Sequence, residues 1–600
     1  MDPAIVKLRA VRKALRSLDL AGLLVPNGDA HQSEYLAERD KRREWISGFT
    51  GSNGTALILN KPESAHLWTD GRYIFQAGKE LNPDLWTLHK DEASQIGEFI
   101  TKTLNPGSRI GVDPFHISNS QYQRLEMELH AEKFRLIPLE RNVIDEVWGE
   151  SQPPMPNQPI LSLGIEYTGM SLIDKVSFFR EEMKKKKCGC LILSDLAEIA
   201  YTFNLRGSDI PHNPVFFSFA AITYDDVYLF LTDPELLDIP LNGVIIKPYN
   251  AIGEFIKEFK SSSDCKIWFS EHASRGLIAN IPQENNKIIS VNPVSLKKAV
   301  KNETEMKGFV NCHIRDAVAL CRYFAWLEKE IVKKEVDEFQ ASQILDSFRK
   351  EMDDFVGTSF PTISGSGPNA AIIHYRPKPG KSKVLTRNDI YLVDSGGQYK
   401  DGTTDVTRTV HFGSPSDRIK ECFTRVLKGQ IRLTQTVFPK GVKGYALDSI
   451  ARSSLWQVGL DYAHGTGHGV GSYLNVHEGP MGISKRYNSY DPGLEKGMVL
   501  SIEPGYYEDG NFGIRIENLV QIVRADTENN FGQKEFLTFE NLTLVPIQKK
   551  LIEPTMLSSD EVAYIDDYHT LCKDRVGPLL RELGLKEALN WLIRETEPLG

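Results

Sequence analysis

Apolar residues at Ile5, Leu8, Val11, Leu15 and Leu18 recur every three or four positions. That spacing lines one face of a helix, and the run AGLLVP behind it reads as a short buried strand. A similar helix-then-strand unit returns later in the chain. Ile173, Val176 and Phe179 lead through EEMKKKK into CGCLIL. The lysines at 184–187 then read as a solvated helix face. From 301 the pattern KNETEMKGFVNCHIRDAVALCRYFAWLEKEI predicts a long helix, with Asn302 as N-cap and Glu303 and Glu305 in its first turn. Beyond it, strands bounded by glycine turns run to about 545, interrupted by helices near 418–436 and 445–458. Two more helices are predicted over about 559–574 and 577–594.

The two early units share further landmarks. Trp45-x-x-x-Phe49-x-Gly51-Ser52 in the first is matched by Tyr201-x-x-x-Leu205-x-Gly207-Ser208 in the second, and WTD at 68–70 by LTD at 231–233. Two related α/β domains are the simplest account, since the period is far longer than that of a solenoid. Between them SQPPMPNQPI, residues 151–160, holds four prolines. Proline lacks an amide donor and restricts the residue before it, so this stretch predicts a linker. The expected organisation is α/β (α+β) in three domains, 1–155, 156–300 and 301–600.

Composition removes several alternatives. With 41% hydrophobic and 25% charged residues the chain is neither disordered nor fibrous. Its 71 basic and 80 acidic residues leave a net charge of −9, which gives no general reason to bind nucleic acid or an anionic membrane. Seven scattered cysteines without a C-x-x-C pair suggest isolated buried thiols in a reducing compartment. The N-terminal stretch has no uninterrupted apolar segment of signal-peptide length, and no window approaches a membrane span. A cytoplasmic protein is the expectation.

The chemistry concentrates in residues 374–517. Ile390–Val393 is an apolar strand ending on Asp394, and Asp405, Thr407 and Thr409 alternate with Val406 and Arg408 in a second one. Two such strands can set Asp394 beside Asp405, an unfavourable pairing unless a cation lies between them. HGTGHGVG carries His464 and His468 among too many glycines for a helix. MVLSIEPGYY places Glu503 in an apolar strand, where a carboxylate is costly unless paired or metal-bound. In FGIRIENLV, Arg515 and Glu517 share one face by the period of two, and an exposed edge strand would suit Glu517 better than Glu503.

Together Asp394, Asp405, His468, Glu503 and Glu517 offer four carboxylates and one imidazole. Oxygen-rich donors suit Mn²⁺, Mg²⁺ or Ca²⁺, and the imidazole favours Mn²⁺, Co²⁺ or Zn²⁺. Four carboxylates balance two divalent cations; a shared hydroxide then leaves about one negative charge, attractive to a cationic substrate group.

The order Asp, eleven residues, Asp, then His in HGTGHGVG, Glu in EPG and Glu in RIEN resembles the dinuclear metallopeptidases of the pita-bread fold. NAAIIHYRP, DSGGQYKDGTTDVTRT, LNVHEGP and EPGYYEDGNFGIRIENLV are similar to the cytosolic Xaa-Pro aminopeptidases (aminopeptidase P), as are DAHQSEYLAERDKRREWISGFTGSNGTA and LWTDGRYIFQA in the first domain. The resemblance implies two related N-terminal α/β domains and a pita-bread catalytic domain. It implies two divalent metal ions per subunit, Mn²⁺ first, with Co²⁺ or Zn²⁺ as alternatives. Asp394 would bind one metal, Asp405 and Glu517 would bridge both, and His468 and Glu503 would complete the shells. His374 would steady the tetrahedral intermediate, His464 and His477 would lie near the scissile bond and the substrate, and Arg515 would tie the ligand carboxylates together. Arg72 would reach the bound peptide. The implied reaction releases an N-terminal residue from a following proline, the implied assembly is a homodimer, and neither nucleic acid nor membrane is a partner. A dipeptide-cleaving relative of the same fold is the rival, separated by turnover of a tripeptide against a dipeptide.

Overall fold

The computed structural model describes residues 2–90, 95–262 and 265–599. Two compact units emerge: Met1–Ser162 with Ser171–Val294, and Leu163–Met170 with Ser295–Gly600.

The first unit contains two six-stranded mixed sheets of identical topology. In spatial order the first runs Thr87–His89, Ser64–Trp68, Thr55–Leu59, Gly22–Val25, Arg109–Val112, Arg135–Pro138. The second runs Ile245–Pro248, Val227–Leu231, Ser218–Thr223, Cys188–Leu193, Lys266–Phe269, Lys287–Ile289. In each, the founding strand pairs antiparallel with one neighbour and parallel with the other. The outer pairs repeat the same directions. The duplication read from the sequence is thus a duplication of fold, and Trp68 and Leu231 of the WTD and LTD motifs end equivalent strands.

Helices Pro3–Ser17 and Leu172–Lys186 precede the two founding strands. Leu8, Val11 and Leu15 are buried in the first, and Val176, Phe179 and Met183 in the second. The apolar stripes end sooner than expected. Leu18 is 44% exposed because the helix stops at Ser17, and Ile173, in the first turn at the edge of its stripe, is 76% exposed. Lys175 takes an inward position instead. Its ammonium donates to Tyr201 O at 2.7 Å and Asn204 Oδ1 at 2.5 Å and sits over the Tyr201 ring. Lys184, Lys185 and Lys186 face solvent in the last turn.

In the second unit the long helix Glu303–Glu330 begins in a capping box, with Asn302 accepting from Glu305 N and Glu305 accepting from Asn302 N. It packs into one core with the helices Asp417–Thr434, Ser559–Glu582 and Lys586–Glu595. The predicted break near 575 does not occur. The helix runs through Pro578 to Glu582 and turns at Gly584, whose φ is +68°.

Two antiparallel sheets supply the platform. One has the order Ile363–Ser366, Ile390–Ser395, Val406–His411. The other has the order Phe438–Pro439, Phe536–Asn541, Asn518–Arg524, Val499–Ile502, Gly467–Gly469, Glu478–Ile483. The hairpin Gly505–Glu508 with Phe512–Arg515 connects Val499–Ile502 to Asn518–Arg524 of the second sheet. Six cysteines are buried and Cys265 is exposed. Among the described residues no helix is long and apolar enough to cross a membrane.

Candidate metal centre

The five donors come from three segments that are far apart in sequence. Asp394 lies in the strand Ile390–Ser395, whose register sets it opposite Thr407. Asp405 stands one residue before the partner strand, so the two carboxylates are diagonal neighbours rather than a direct pair. His468 is the middle of Gly467–Gly469, where a register shift against Glu478–Ile483 interrupts the ladder. Glu503 follows Val499–Ile502, and Glu517 bridges the hairpin to Asn518–Arg524.

Glycine makes this convergence possible. A Cβ on Gly467 would lie 2.0 Å from Ser501 O, and one on Gly513 1.9 Å from Ala370 O. Any other residue at either position would push apart the backbones that carry His468 and Arg515.

One ligand atom each of Asp405, His468 and Glu517 lies within 4.8 Å of the other two. His468 Nε2 is 3.4 Å from Asp405 Oδ2 and 3.5 Å from Glu503 Oε1. Thr407 donates to Glu517 Oε2 at 2.7 Å, and Ser501 to Glu503 Oε1 at 3.1 Å. Arg515 donates through Nη2 to Asp394 Oδ2 at 2.7 Å, through Nε to Thr407 Oγ1 at 3.1 Å and through Nη1 to Tyr507 OH at 2.5 Å. The other oxygen, Asp394 Oδ1, is buried without a hydrogen-bond partner among the described residues.

The electrostatics are those of a site built for added positive charge. Burial, then Asp405, Glu503 and Asp394, push the Glu517 carboxyl well above the ordinary range. Asp394 rises to about 6 through burial; Arg515 opposes this and Asp405 and Glu503 add to it. Glu503 is raised by burial and Asp405 against the pull of His468 and Arg515. Burial draws the His468 pKa down, but Asp405 and Glu503 outweigh it and lift it to about 9. Divalent cations would reverse all four tendencies at once, holding the carboxylates ionised and the imidazole neutral. The donor chemistry, the unpartnered Asp394 oxygen and the mutual repulsion therefore fit two such ions.

The exposed-edge alternative for Glu517 fails. It is 1% exposed, more buried than Glu503, because Asn518 pairs with Ile502 and Glu517 N donates to Thr407 O. Such non-local cover has no trace in the local alternation.

Three further predicted histidines lie in the same unit. His464 Nδ1 donates to Gly465 O at 2.7 Å, which leaves Nε2 to accept from Tyr507 OH at 2.9 Å. Its Nδ1 is 4.0 Å from Glu503 Oε2. The His477 ring sits edge-on to His468 with centroids 4.4 Å apart. His374 is half-buried in the turn after Gly367–Ala371, and Arg515 Nη2 comes within 3.5 Å of Ile373 O beside it. Arg72 belongs to the other unit. It forms a two-point pair with Asp70 at 2.9 and 2.8 Å and helps line a polar cavity of about 310 Å³ with Asn27, Glu34 and Asn53.

Tyr507 and Thr407 escaped the sequence reading. The one signal for Thr407 was its place in the Asp405–Thr407–Thr409 alternation; Tyr507, in EPGYY, had none. Arg408, on the other side of that alternation, is buried as well, donating to Val545 O and Asn518 Oδ1.

Comparison with known proteins agrees with this geometry. The model of metallopeptidase family M24 matches residues 308–524, and that of its C-terminal region 535–599. The creatinase/prolidase N-terminal domain matches twice, at 7–147 and 151–305. A Xaa-Pro aminopeptidase of Drosophila melanogaster is 46% identical over 594 residues, covering 97% of this chain and 96% of its own. A probable Xaa-Pro aminopeptidase P of Laccaria bicolor is 45% identical, covering 99% and 93%. The crystal structure of an X-prolyl aminopeptidase from Caenorhabditis elegans, described as a cytosolic enzyme with a di-nuclear active site, superposes with a TM-score of 0.95 at 35% identity over the whole of both chains. The chain belongs to metallopeptidase family M24 and, within it, to the Xaa-Pro aminopeptidases.

Proposed function

We propose that this enzyme hydrolyses the bond between an N-terminal residue and a following proline. The observation that carries the reading is the meeting of Asp405, His468 and Glu517 beside Glu503 and the unpartnered Asp394 oxygen. Asp394, Asp405, His468, Glu503 and Glu517 would hold two divalent ions, Mn²⁺ by preference, which supply an acidified water and a Lewis acid for the scissile carbonyl.

The chain's own groups do the rest. Glu503, flanked by Ser501 and His464, takes the proton released by the attacking water and delivers it to the proline nitrogen. That nitrogen belongs to a tertiary amide and leaves only once protonated. His374 donates to the oxygen on which negative charge develops. His464 is held in one tautomer by Gly465 O and Tyr507 and faces the scissile bond. His477 lies against His468 on the substrate side. Arg515 fixes Asp394 from behind. Arg72 contacts the peptide. The net acidity left by four carboxylates favours a substrate with a free α-amino group. A homodimeric, cytosolic enzyme completes the proposal.

Metal-stripped protein, with Mn²⁺ restored, should release arginine from Arg-Pro-Pro but not from Arg-Ala-Ala, and only with metal. Cleavage of both peptides would retain the hydrolase and discard the proline preference. Sedimentation at micromolar concentration checks the dimer.

A further inference from the structure

Glu338 is a buried carboxylate outside the metal centre. It opens the helix Glu338–Lys350 and is 0% exposed. Among the described residues no lysine, arginine or histidine pairs with it. Instead it accepts from four uncharged donors: Ser366 N at 2.7 Å, Asn369 Nδ2 at 3.0 Å, Tyr375 OH at 2.7 Å and Lys383 N at 2.9 Å. Its own amide donates to Lys383 O at 3.0 Å.

All four donors belong to one segment, 366–383, and grip it at both ends and in the middle. Asn369 and Tyr375 flank His374 and are joined to each other at 3.1 Å. The far side of the segment is also fixed. Gly513 packs against Ala370 O, and Arg515 approaches Ile373 O. The turn bearing His374 is therefore clamped between Glu338 and the hairpin that carries Arg515. Burying an anion with no cation beside it is costly, and loop closure alone needs no charge. Ionised, the carboxylate accepts every one of these bonds; an amide in its place would turn a donor toward a donor.

We infer that Glu338 is a positioning residue for the reaction, holding the 366–383 segment through Ser366, Asn369, Tyr375 and Lys383 so that His374 meets the substrate carbonyl in a fixed orientation. This rests on the role given to His374 above.

The test uses full-length, Mn²⁺-loaded enzyme and the Arg-Pro-Pro peptide, with variants Glu338→Gln, Tyr375→Phe, His374→Ala and the double variant Glu338→Gln/His374→Ala. A small displacement of a group that acts in the transition state costs about 10- to 100-fold, so Glu338→Gln should lower kcat by that factor with KM within about twofold and bound metal unchanged. Tyr375→Phe removes one donor and should cost about tenfold; it carries the same test should Glu338→Gln not fold. In the His374→Ala background Glu338→Gln should have no further effect on kcat. Unchanged kcat in Glu338→Gln overturns the inference. So does an equal fall in both backgrounds, which would show that Glu338 acts elsewhere. Full activity of His374→Ala would instead remove the role assigned to His374, and the inference with it.

Discussion

Two buried polar clusters of the second unit are built on opposite plans. Next to His477, Glu478 accepts from Lys298 Nζ at 2.7 Å and Lys301 Nζ at 2.6 Å, and all three side chains are buried. Burial pulls the Glu478 carboxyl up, yet the two ammonium groups outweigh it and hold it below the ordinary range. This cluster supplies its own counter-charge. The Asp394–Asp405–Glu503–Glu517 cluster does not: Arg515 and His468 face four carboxylates, and Asp394, Glu503 and Glu517 are pushed upward. A fold that neutralises one buried carboxylate with two lysines, and leaves four short of cations nearby, has reserved the second place for charge from outside. Composition does not separate the two; the local charge balance does.

The largest effect should come from breaking the deficient cluster. Asp405→Ala removes a carboxylate close to both His468 and Glu517. Several kcal/mol of transition-state stabilisation correspond to on the order of a thousandfold in rate, so kcat/KM should fall at least that far, with loss of bound metal measured by elemental analysis. Thermal stability without metal should hold or rise, since a repulsion is removed. Retained metal and activity would refute the assignment.

The opposite result is expected at the balanced cluster. Glu478→Gln leaves two buried ammonium groups without their anion, and breaking such a group costs about 3–5 kcal/mol. Denaturant unfolding should show that loss. Bound metal per folded molecule should stay at the wild-type level. A stable Glu478→Gln protein that had lost its metal would show that the two clusters are not independent.

How much of this contrast is legible in the chain follows from the range of each interaction. Period and spacing located the helix around Leu8, Val11 and Leu15, the duplicated α/β unit and the N-cap at Asn302, because these are local patterns. Glu503 was legible as a costly carboxylate in an apolar strand, Asp394 and Asp405 as a like-charged pair, and the five donors as a set through family resemblance. What stayed hidden is non-local. An exposed edge was the alternative that suited Glu517 better than Glu503, and its contact with Thr407, 110 residues earlier, shows why it is buried. The break expected near 575 falls at Gly584 instead, beyond Pro578. Lys298 and Lys301 lie 180 and 177 residues before Glu478, and nothing in the local sequence marks them as partners.

The two clusters should also differ in how stability depends on pH. In metal-free protein Asp394 keeps its proton to about 6, against an ordinary aspartate near 4. The unfolded chain releases that proton first, so stability is full below pH 4 and falls as pH rises through 6, by on the order of 2–3 kcal/mol. Glu503 and Glu517 are raised and act in the same sense. His468, raised to about 9, adds stability below pH 6.5 that is lost through pH 9. Divalent metal demands the deprotonated forms. The rise in melting temperature on adding Mn²⁺ should therefore be larger at pH 7.5 than at pH 5. Glu478, held low by its lysines, works in the opposite direction and metal should leave its contribution alone. A metal-induced shift independent of pH would contradict the charge deficit.

The smallest predicted effect lies at the hydroxyl that links Arg515 to His464. Tyr507 OH accepts from Arg515 Nη1 and donates to His464 Nε2, so one hydroxyl ties the group behind Asp394 to the histidine beside Glu503. Tyr507→Phe removes two hydrogen bonds and leaves the ring in place. Arg515 keeps Asp394 and Thr407, so the metal ligands should stay assembled and bound metal should not change. His464 keeps Gly465 O but loses the donor that reserves Nε2 as an acceptor, which weakens the hold on its tautomer. A net loss of about 1–1.5 kcal/mol corresponds to about tenfold in kcat, with the melting temperature nearly unchanged. Loss of metal in Tyr507→Phe would mean that the hydroxyl serves the carboxylate cluster itself, and the counter-charge supplied by the protein would then reach further than Arg515 and His468.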